Sequence, residues 1–255
     1  MPLLTLIVLP TYQEAANIAI VLRGIRRAVP DARVLVVDDG SPDGTANLAR
    51  LVGAEVGGVE VLVRPRKSGL GSAYRDGFRQ GLRDGYDVLV QMDSDLSHDP
   101  AALPMLLAAI EDGAEVAVGS RYVVGGSTRH WAVHRRYLSR WANRYATWAL
   151  RLPLRDATSG YRAFRATALA GLDVDSSCAD GYAFQIEMAY RMARASVCVA
   201  EVPIVFAERS RGRSKMSTRI VVEAMALVTS LGVIDRVAAS RRRAVAVGVS
   251  TVATQ

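Results

Sequence analysis

Through its first 120 residues the chain alternates short apolar runs with stretches of helical period, and few architectures accommodate that order. LLTLIVL is followed by a helical pattern from about Glu14 to Ala28, then ARVLVVD, a helix near Thr45, and VEVLV. A helix through Tyr74 to Arg83, the run VLVQM, a helix through Leu103 to Ile110 and EVAVG continue the series. Strands that alternate with helices in this way build an α/β fold with a central, mainly parallel sheet flanked by helices. The runs are apolar throughout rather than alternating, as strands covered on both faces should be. In such sheets ligands gather at the carboxyl ends of the strands. The segments to read for chemistry are therefore PTYQE, DDGSPDGT, RPRKSGLG, DSDLSHD and SRY.

From Gly125 onward the pattern turns to long helical stretches, a C-terminal helical elaboration of the same fold. Tyr137, Trp141, Tyr145 and Trp148 recur at spacings of four, four and three, which predicts the buried face of a helix. SVCVAEVPIVF predicts one more strand and KMSTRIVVEAMALV a final helix. With 255 residues, half of them apolar, the chain can bury a large core, and no linker or repeat divides it. The expected organisation is one domain over residues 1–240 and a basic, then apolar, poorly ordered tail over 241–255. Cys178 and Cys198 form no zinc or disulfide pattern and are expected in the core. The opening MPLLTLIVLPTYQEA lacks a basic leader and reads as a first strand. IVVEAMALVTSLGVI is shorter than the roughly 20 apolar residues a span needs and contains Glu223, so it predicts a docking or interfacial helix.

The position after the first strand reads PTYQE, where a dinucleotide enzyme would carry G-x-G-x-x-G, and no Walker lysine motif is present. Asp93 and Asp95 carry the sharper signal. On an extended segment residues i and i+2 face one side, here at a strand end. Asp173 and Asp175 have the same spacing but follow no strand, and they serve as an internal control. Magnesium and manganese take one or two carboxylates together with phosphate oxygens and waters. Two aspartates with oxygen chemistry alone therefore suit Mg2+ or Mn2+ brought in with a diphosphate, whose leaving-group charge the ion would neutralise. Asp38 and Asp39 end another strand. GSPDGT explains itself as a turn and helix cap, and the extra carboxylate is free to accept from base N–H or ribose hydroxyl groups.

Charge points the same way. The formal charge is +7, and ten arginines against a single acid, Asp156, lie between Arg121 and Arg165. An anionic partner is implied. Nucleic acid is the weaker candidate, because paired carboxylates at strand ends repel phosphate unless a metal intervenes.

Seven motifs in order carry a resemblance: PTYQEAANI, VVDDGSPDGT, KSGLGSAYRDGF, MDSDLSHDP, GSRY, ATSGYRAF and ERSRGRSKM. Over about Leu4 to Met216 the chain resembles the inverting GT-A glycosyltransferases of family 2, and among them the polyprenol (dolichol) phosphate mannose synthases. The resemblance implies a nucleotide-sugar-binding GT-A fold, GDP-mannose as donor, a polyprenyl or dolichyl phosphate as acceptor and a divalent cation. By position it places Pro10, Tyr12, Glu14 and Asp39 in the nucleoside pocket with Asp38 beside them. It gives the metal to Asp93 and Asp95 and counts both, with Ser94 between them, among the residues that bind the nucleotide sugar. Ser97 stands where some relatives have a further glutamine ligand, and a water held by Ser97 would replace that ligand. Arg121, Arg135 and Ser139 match residues that hold the acceptor phosphate. Arg209 and Lys215 match a loop that closes over both substrates. Neither base nor sugar can be read from these motifs alone, and UDP-glucose or another nucleotide sugar stays open as donor. An acceptor phosphate carrying about −1.5 to −2 charges needs positioning more than deprotonation, so His98, His130 and His134 are expected as structural or surface groups, with a ligand contact by His98, beside the metal pair, as the alternative. The expected location is cytoplasmic, peripheral at the cytoplasmic face of a membrane, with or without a membrane-protein partner.

Overall fold

The computed structural model describes residues 3–207, apart from 130, 178 and 180, together with residues 224–236. The predicted alternation is present: β1 (Thr5–Thr11), α1 (Ile18–Ala28), β2 (Arg33–Asp38), α2 (Thr45–Val56), β3 (Val59–Val63), α3 (Leu70–Arg83), β4 (Val88–Gln91), α4 (Leu103–Glu111) and β5 (Val116–Ser120). There follow β6 (Ser127–Arg129), α5 (Val133–Ala149), β7 (Arg162–Arg165), α6 (Ala166–Gly171), α7 (Gly181–Arg194), β8 (Val199–Pro203) and β9 (Val205–Ala207). Seven strands form one sheet in the order β3-β2-β1-β4-β7-β5-β8. β1 to β4 run parallel, as do β5 and β8, while β7 is inserted antiparallel between β4 and β5.

The two faces of β1 show how the core divides. Leu6 and Val8 point to a cluster that contains Tyr74, Phe78, Phe164 and Phe184, whereas Ile7 and Leu9 point to one built from Ile18, Leu22, Leu103 and Leu106. A period of two therefore supplies both cores, which is why the strand is apolar at nearly every position. On one face α3 lies so close to the sheet that side chains would not fit. A Cβ on Gly77 would sit 2.3 Å from Val8 Cγ1, and one on Gly81 would sit 2.5 Å from Leu89 Cδ2.

Three expectations need correction, and one strand has no counterpart among them. The predicted single strand SVCVAEVPIVF is two, because the chain leaves the main sheet after β8 and β9 pairs with β6 in a separate two-stranded ladder. Strand β7 carries arginine at both ends and so gave no apolar run. Cys198 is exposed rather than in the core, at the loop that leads into β8; Cys178 lies outside the described residues. The aromatic stripe of α5 is not its buried face. Tyr137, Trp141 and Trp148 are 68%, 57% and 68% exposed, and the buried positions of the helix are Asn143 and Ala146 on the opposite side. The physical reason is Asn143, whose amide donates to the Arg155 carbonyl and accepts from Ala157 N, fixing the polar side inward.

Residues 224–236 are helical and dock as predicted. Val228 is buried in the core, Thr229 Oγ1 lies 3.0 Å from Tyr145 Oη, and Asp235 meets Tyr190 and Arg194, each at 2.8 Å. Among the described residues no helix is long and apolar enough to cross a membrane.

Candidate active site

One cavity opens where the strands end. Pro10, Thr11, Tyr12 and Glu14 reach it from the end of β1, and Asp39 from the end of β2. Lys67, Gly69 and Leu70 line it where α3 begins. The segment after β4 contributes Asp93, Ser94, Asp95, Ser97 and His98; Arg121 and Arg135 add positive charge; Gly160 and Gln185 close the floor.

Asp93 and Asp95 come together as predicted, but not through extended backbone. The strand stops at Gln91, and the chain bends so that Leu96 adopts φ 65°. A bulky residue there is strained, a cost of about 1–3 kcal/mol tolerated where surrounding contacts over-determine the conformation. Those contacts are specific. Ser97 donates to Asp95 Oδ1 through its Oγ at 2.5 Å and its N–H at 3.0 Å. Ser94 Oγ donates to the Pro10 carbonyl at 2.8 Å, tying this bend to β1. Tyr74, fully buried, donates its hydroxyl to Asp93 Oδ1 at 3.1 Å. Burial first, and then the Asp93 and Asp95 carboxylates, push the Tyr74 hydroxyl well above its ordinary pKa, so it stays a donor. His98 is buried, stacks on Tyr161 at 4.8 Å and accepts from Asp93 N through Nδ1 at 3.1 Å. Through that bond it holds the bend, and its ring also lines the cavity.

The two carboxylates after β2 divide. Asp38 does not line the cavity: it accepts from Thr11 Oγ1 at 2.9 Å and from Ser41 N and Oγ at 2.9 and 2.6 Å, and it shapes the turn. Asp39 lines the cavity, yet its oxygens accept from Ser68 N at 3.1 Å, Gly69 N at 3.0 Å and Arg64 Nη2 at 2.5 Å. Buried Arg64 also binds Ser72 Oγ and Asp76. This network draws the 64–69 loop over the cavity, and Lys67 reaches across to lie 4.1 Å from the Tyr12 ring centroid. Asp39 thus presents a largely saturated carboxylate, with less left to accept from a nucleoside than the sequence reading assumed.

On the cationic side Arg121 is gripped by Asp156, with Nε and Nη2 at 2.8 and 2.7 Å and both side chains buried. Burial alone would raise the Asp156 carboxyl. The charge and hydrogen bonds of Arg121, with a bond from Thr158, outweigh it and hold the pKa below the ordinary value. Arg135 stacks over Trp131, 4.6 Å from its centroid, and faces the same cavity. Ser139 does not line the cavity; its Oγ pairs with Tyr122 Oη at 2.8 Å. Arg209 and Lys215 lie outside the described residues.

Sequence reasoning missed Tyr74, Arg64, Lys67, Asp156 and Gln185. The first three fall in or beside KSGLGSAYRDGF, a strand-end segment, so position alone could have flagged them. Asp156, as the single acid in an arginine-rich stretch, could also have been read as a buried partner. Nothing in the sequence singles out Gln185.

The donor set at the bend is oxygen only, from Asp93, Asp95 and Ser97, and among the described residues no group of three His, Cys, Asp or Glu side chains converges. Such a set fits a hard divalent ion that completes its shell from a ligand's oxygens and water, and does not fit zinc.

A parallel sheet interrupted by one antiparallel strand, with paired aspartates at its carboxyl edge, defines an α/β fold of the GT-A type. Residues 6–209 match the model of glycosyl transferase family 2, and the chain belongs to that family. It is 45% identical over 238 residues to the polyprenol monophosphomannose synthase of Mycolicibacterium smegmatis, covering 93% of this chain and 90% of that protein. It is 47% identical over 231 residues to the undecaprenyl-phosphate mannosyltransferase of Micrococcus luteus, covering 91% and 95%. In fold it resembles the glucosyl-3-phosphoglycerate synthase of Mycobacterium tuberculosis, solved with Mn2+, UDP-glucose and phosphoglyceric acid. That likeness has a TM-score of 0.65 at 20% identity and covers 90% and 80% of the two chains.

Proposed function

We propose that this glycosyltransferase moves a mannosyl residue from GDP-mannose to a polyprenyl monophosphate, with inversion at the anomeric carbon. The observation that carries the reading is the near end-to-end identity of 45% and 47% to two proteins named for mannosyl transfer to polyprenyl phosphates.

On this reading Pro10, Tyr12, Glu14 and Asp39, under the Lys67 loop, take the nucleoside. Asp93 and Asp95, with Ser97 behind them, hold Mg2+ or Mn2+. A divalent ion there supplies charge neutralisation for the departing diphosphate. Arg121 and Arg135 receive the acceptor phosphate. The fixed planar fork of arginine suits phosphate oxygens, and the grip of Asp156 keeps Arg121 from swinging away. An acceptor phosphate oxygen attacks the anomeric carbon on the face opposite GDP. The bond to the diphosphate oxygen breaks, and its electron pair leaves with GDP. The nucleophile is already ionised, so no side chain must remove a proton. Ser139 acts through Tyr122 in this scheme rather than on the acceptor itself.

The lipid acceptor requires a membrane surface, and α5 supplies a means of reaching it. Its exposed Tyr137, Trp141 and Trp148 sit among Arg136, Arg140 and Arg144 with no acidic residue on the helix. Aromatic side chains at headgroup depth together with arginines on anionic lipid favour attachment to a surface rather than spanning.

A panel of radiolabelled nucleotide sugars with a short polyprenyl phosphate tests the assignment. The expected product is a lipid-soluble mannosyl phosphate from GDP-mannose. Labelled lipid from UDP-glucose and none from GDP-mannose would replace the donor.

A further inference from the structure

We infer that Gln185 is a specificity-determining residue whose side-chain amide donates to a hydroxyl of the transferred sugar, in a notch that Gly160 leaves open beside Asp93. The inference rests on the nucleotide-sugar reading above and names which part of the donor this side chain meets.

Gln185 is 4% exposed and lies on α7, at the floor of the cavity. Two buried groups fix its pose. Its Oε1 accepts from Gln91 Nε2 at 2.7 Å, and its main-chain carbonyl accepts from Arg162 Nη2 at 3.0 Å. Gln91 and Arg162 face each other across β4 and β7, so the inserted antiparallel strand is what builds this support. Arg162 is wholly buried, and its burial brings the guanidinium down to about 10. With one end of the amide held, Nε2 is left toward the cavity, and among the described residues nothing accepts from it.

What could accept follows from the neighbours. A Cβ placed on Gly160 would lie 3.2 Å from Gln185 Nε2 and 3.6 Å from both Asp93 Oδ2 and His98 Cε1. The notch is therefore bounded by an amide donor on one side and a carboxylate acceptor on the other. A phosphate oxygen offers only lone pairs and has no proton to donate to Asp93 Oδ2. A hydroxyl donates and accepts at once and matches both walls. Leaving a buried donor unpaired costs more than the bond itself contributes, so a sugar without a hydroxyl at this point is rejected.

The test compares equilibrium binding of a nucleotide sugar with that of its bare nucleoside diphosphate, in the presence of Mn2+. Gln185→Glu keeps an oxygen for Gln91 and replaces the cavity donor with a second acceptor. Gly160→Ala fills the notch with a methyl 3.2 Å from Gln185 Nε2, so the amide gives by a few tenths of an ångström and keeps its chemistry; position 160 is not at positive φ, so the backbone takes alanine without strain. Both variants should bind GDP as wild type does and GDP-mannose about tenfold more weakly. Equal losses for GDP and GDP-mannose, or wild-type affinity for both, would overturn the inference. If the wild type prefers another nucleotide sugar, the donor assignment fails, and the same comparison with that sugar and its diphosphate still decides the part played by Gln185.

Discussion

Asp95 and Asp173 show why spacing alone does not make a site. Asp95 is 4% exposed, held by Ser97 and turned into a cavity, whereas the Asp173 side chain is 72% exposed and among the described residues reaches only Arg191, at 4.0 Å. Asp95→Ala should reduce kcat by at least about a thousandfold, the order lost when transition-state charge stabilisation goes, and Asp173→Ala should leave it near wild type. Steady-state kinetics on the two folded variants check this, and matched losses would remove the assignment. Asp156 works at the same scale through Arg121. Asp156→Asn leaves a buried guanidinium without its counter-charge and should cost about 3–5 kcal/mol in urea unfolding at pH 7. Because the folded carboxyl has a depressed pKa, its contribution is complete above the unfolded value near 4 and is lost as pH falls through the lower folded value. The gap between wild type and variant should therefore hold steady from pH 7 to 5 and narrow below about pH 4.

Elements became legible where burial is simple. β1 to β5 read from sequence because both of their faces are apolar. β7 did not, because a buried strand with Arg162 and Arg165 is possible only once Arg162 has carbonyls of Ala157 and Gln185 to bind and Arg165 that of Ala114. Those partners are far apart in sequence. The spacing of Tyr137, Trp141, Tyr145 and Trp148 gave the helix correctly and its face wrongly, since period reports a stripe but not what covers it. The bend at Leu96 was likewise invisible: the aspartates meet, although the extended geometry assumed for them is absent. Two element-scale outcomes follow. Gly77→Ala puts a methyl group into Val8 and should destabilise by about 1–3 kcal/mol in chemical denaturation, with α3 displaced from β1. Replacing Trp141 and Trp148 by alanine should abolish flotation with anionic vesicles. Wild-type flotation should weaken but persist at about 1 M salt, where the Debye length is roughly 3 Å and aromatic contact remains. Unaltered flotation of the double variant would move the membrane contact elsewhere.

At the scale of the molecule, the sheet brings groups to one edge from every part of the chain: Tyr12 after β1, Asp39 after β2, Asp93 and Asp95 after β4, Arg121 after β5 and Gln185 from α7. The order of strands and their loops makes most of this legible in the sequence. The inserted β7 and the support it gives to Gln185 are not. On the proposed function, this edge binds a nucleotide-sugar diphosphate through a divalent ion on Asp93 and Asp95. Calorimetric titration of GDP-mannose into the purified chain, first stripped with EDTA and then supplied with Mg2+ or Mn2+, tests it most directly. Binding should be at least about tenfold weaker without metal, restored by either ion and not restored in Asp95→Ala. Full affinity in the chelated protein, or metal rescue in Asp95→Ala equal to that of wild type, would contradict it.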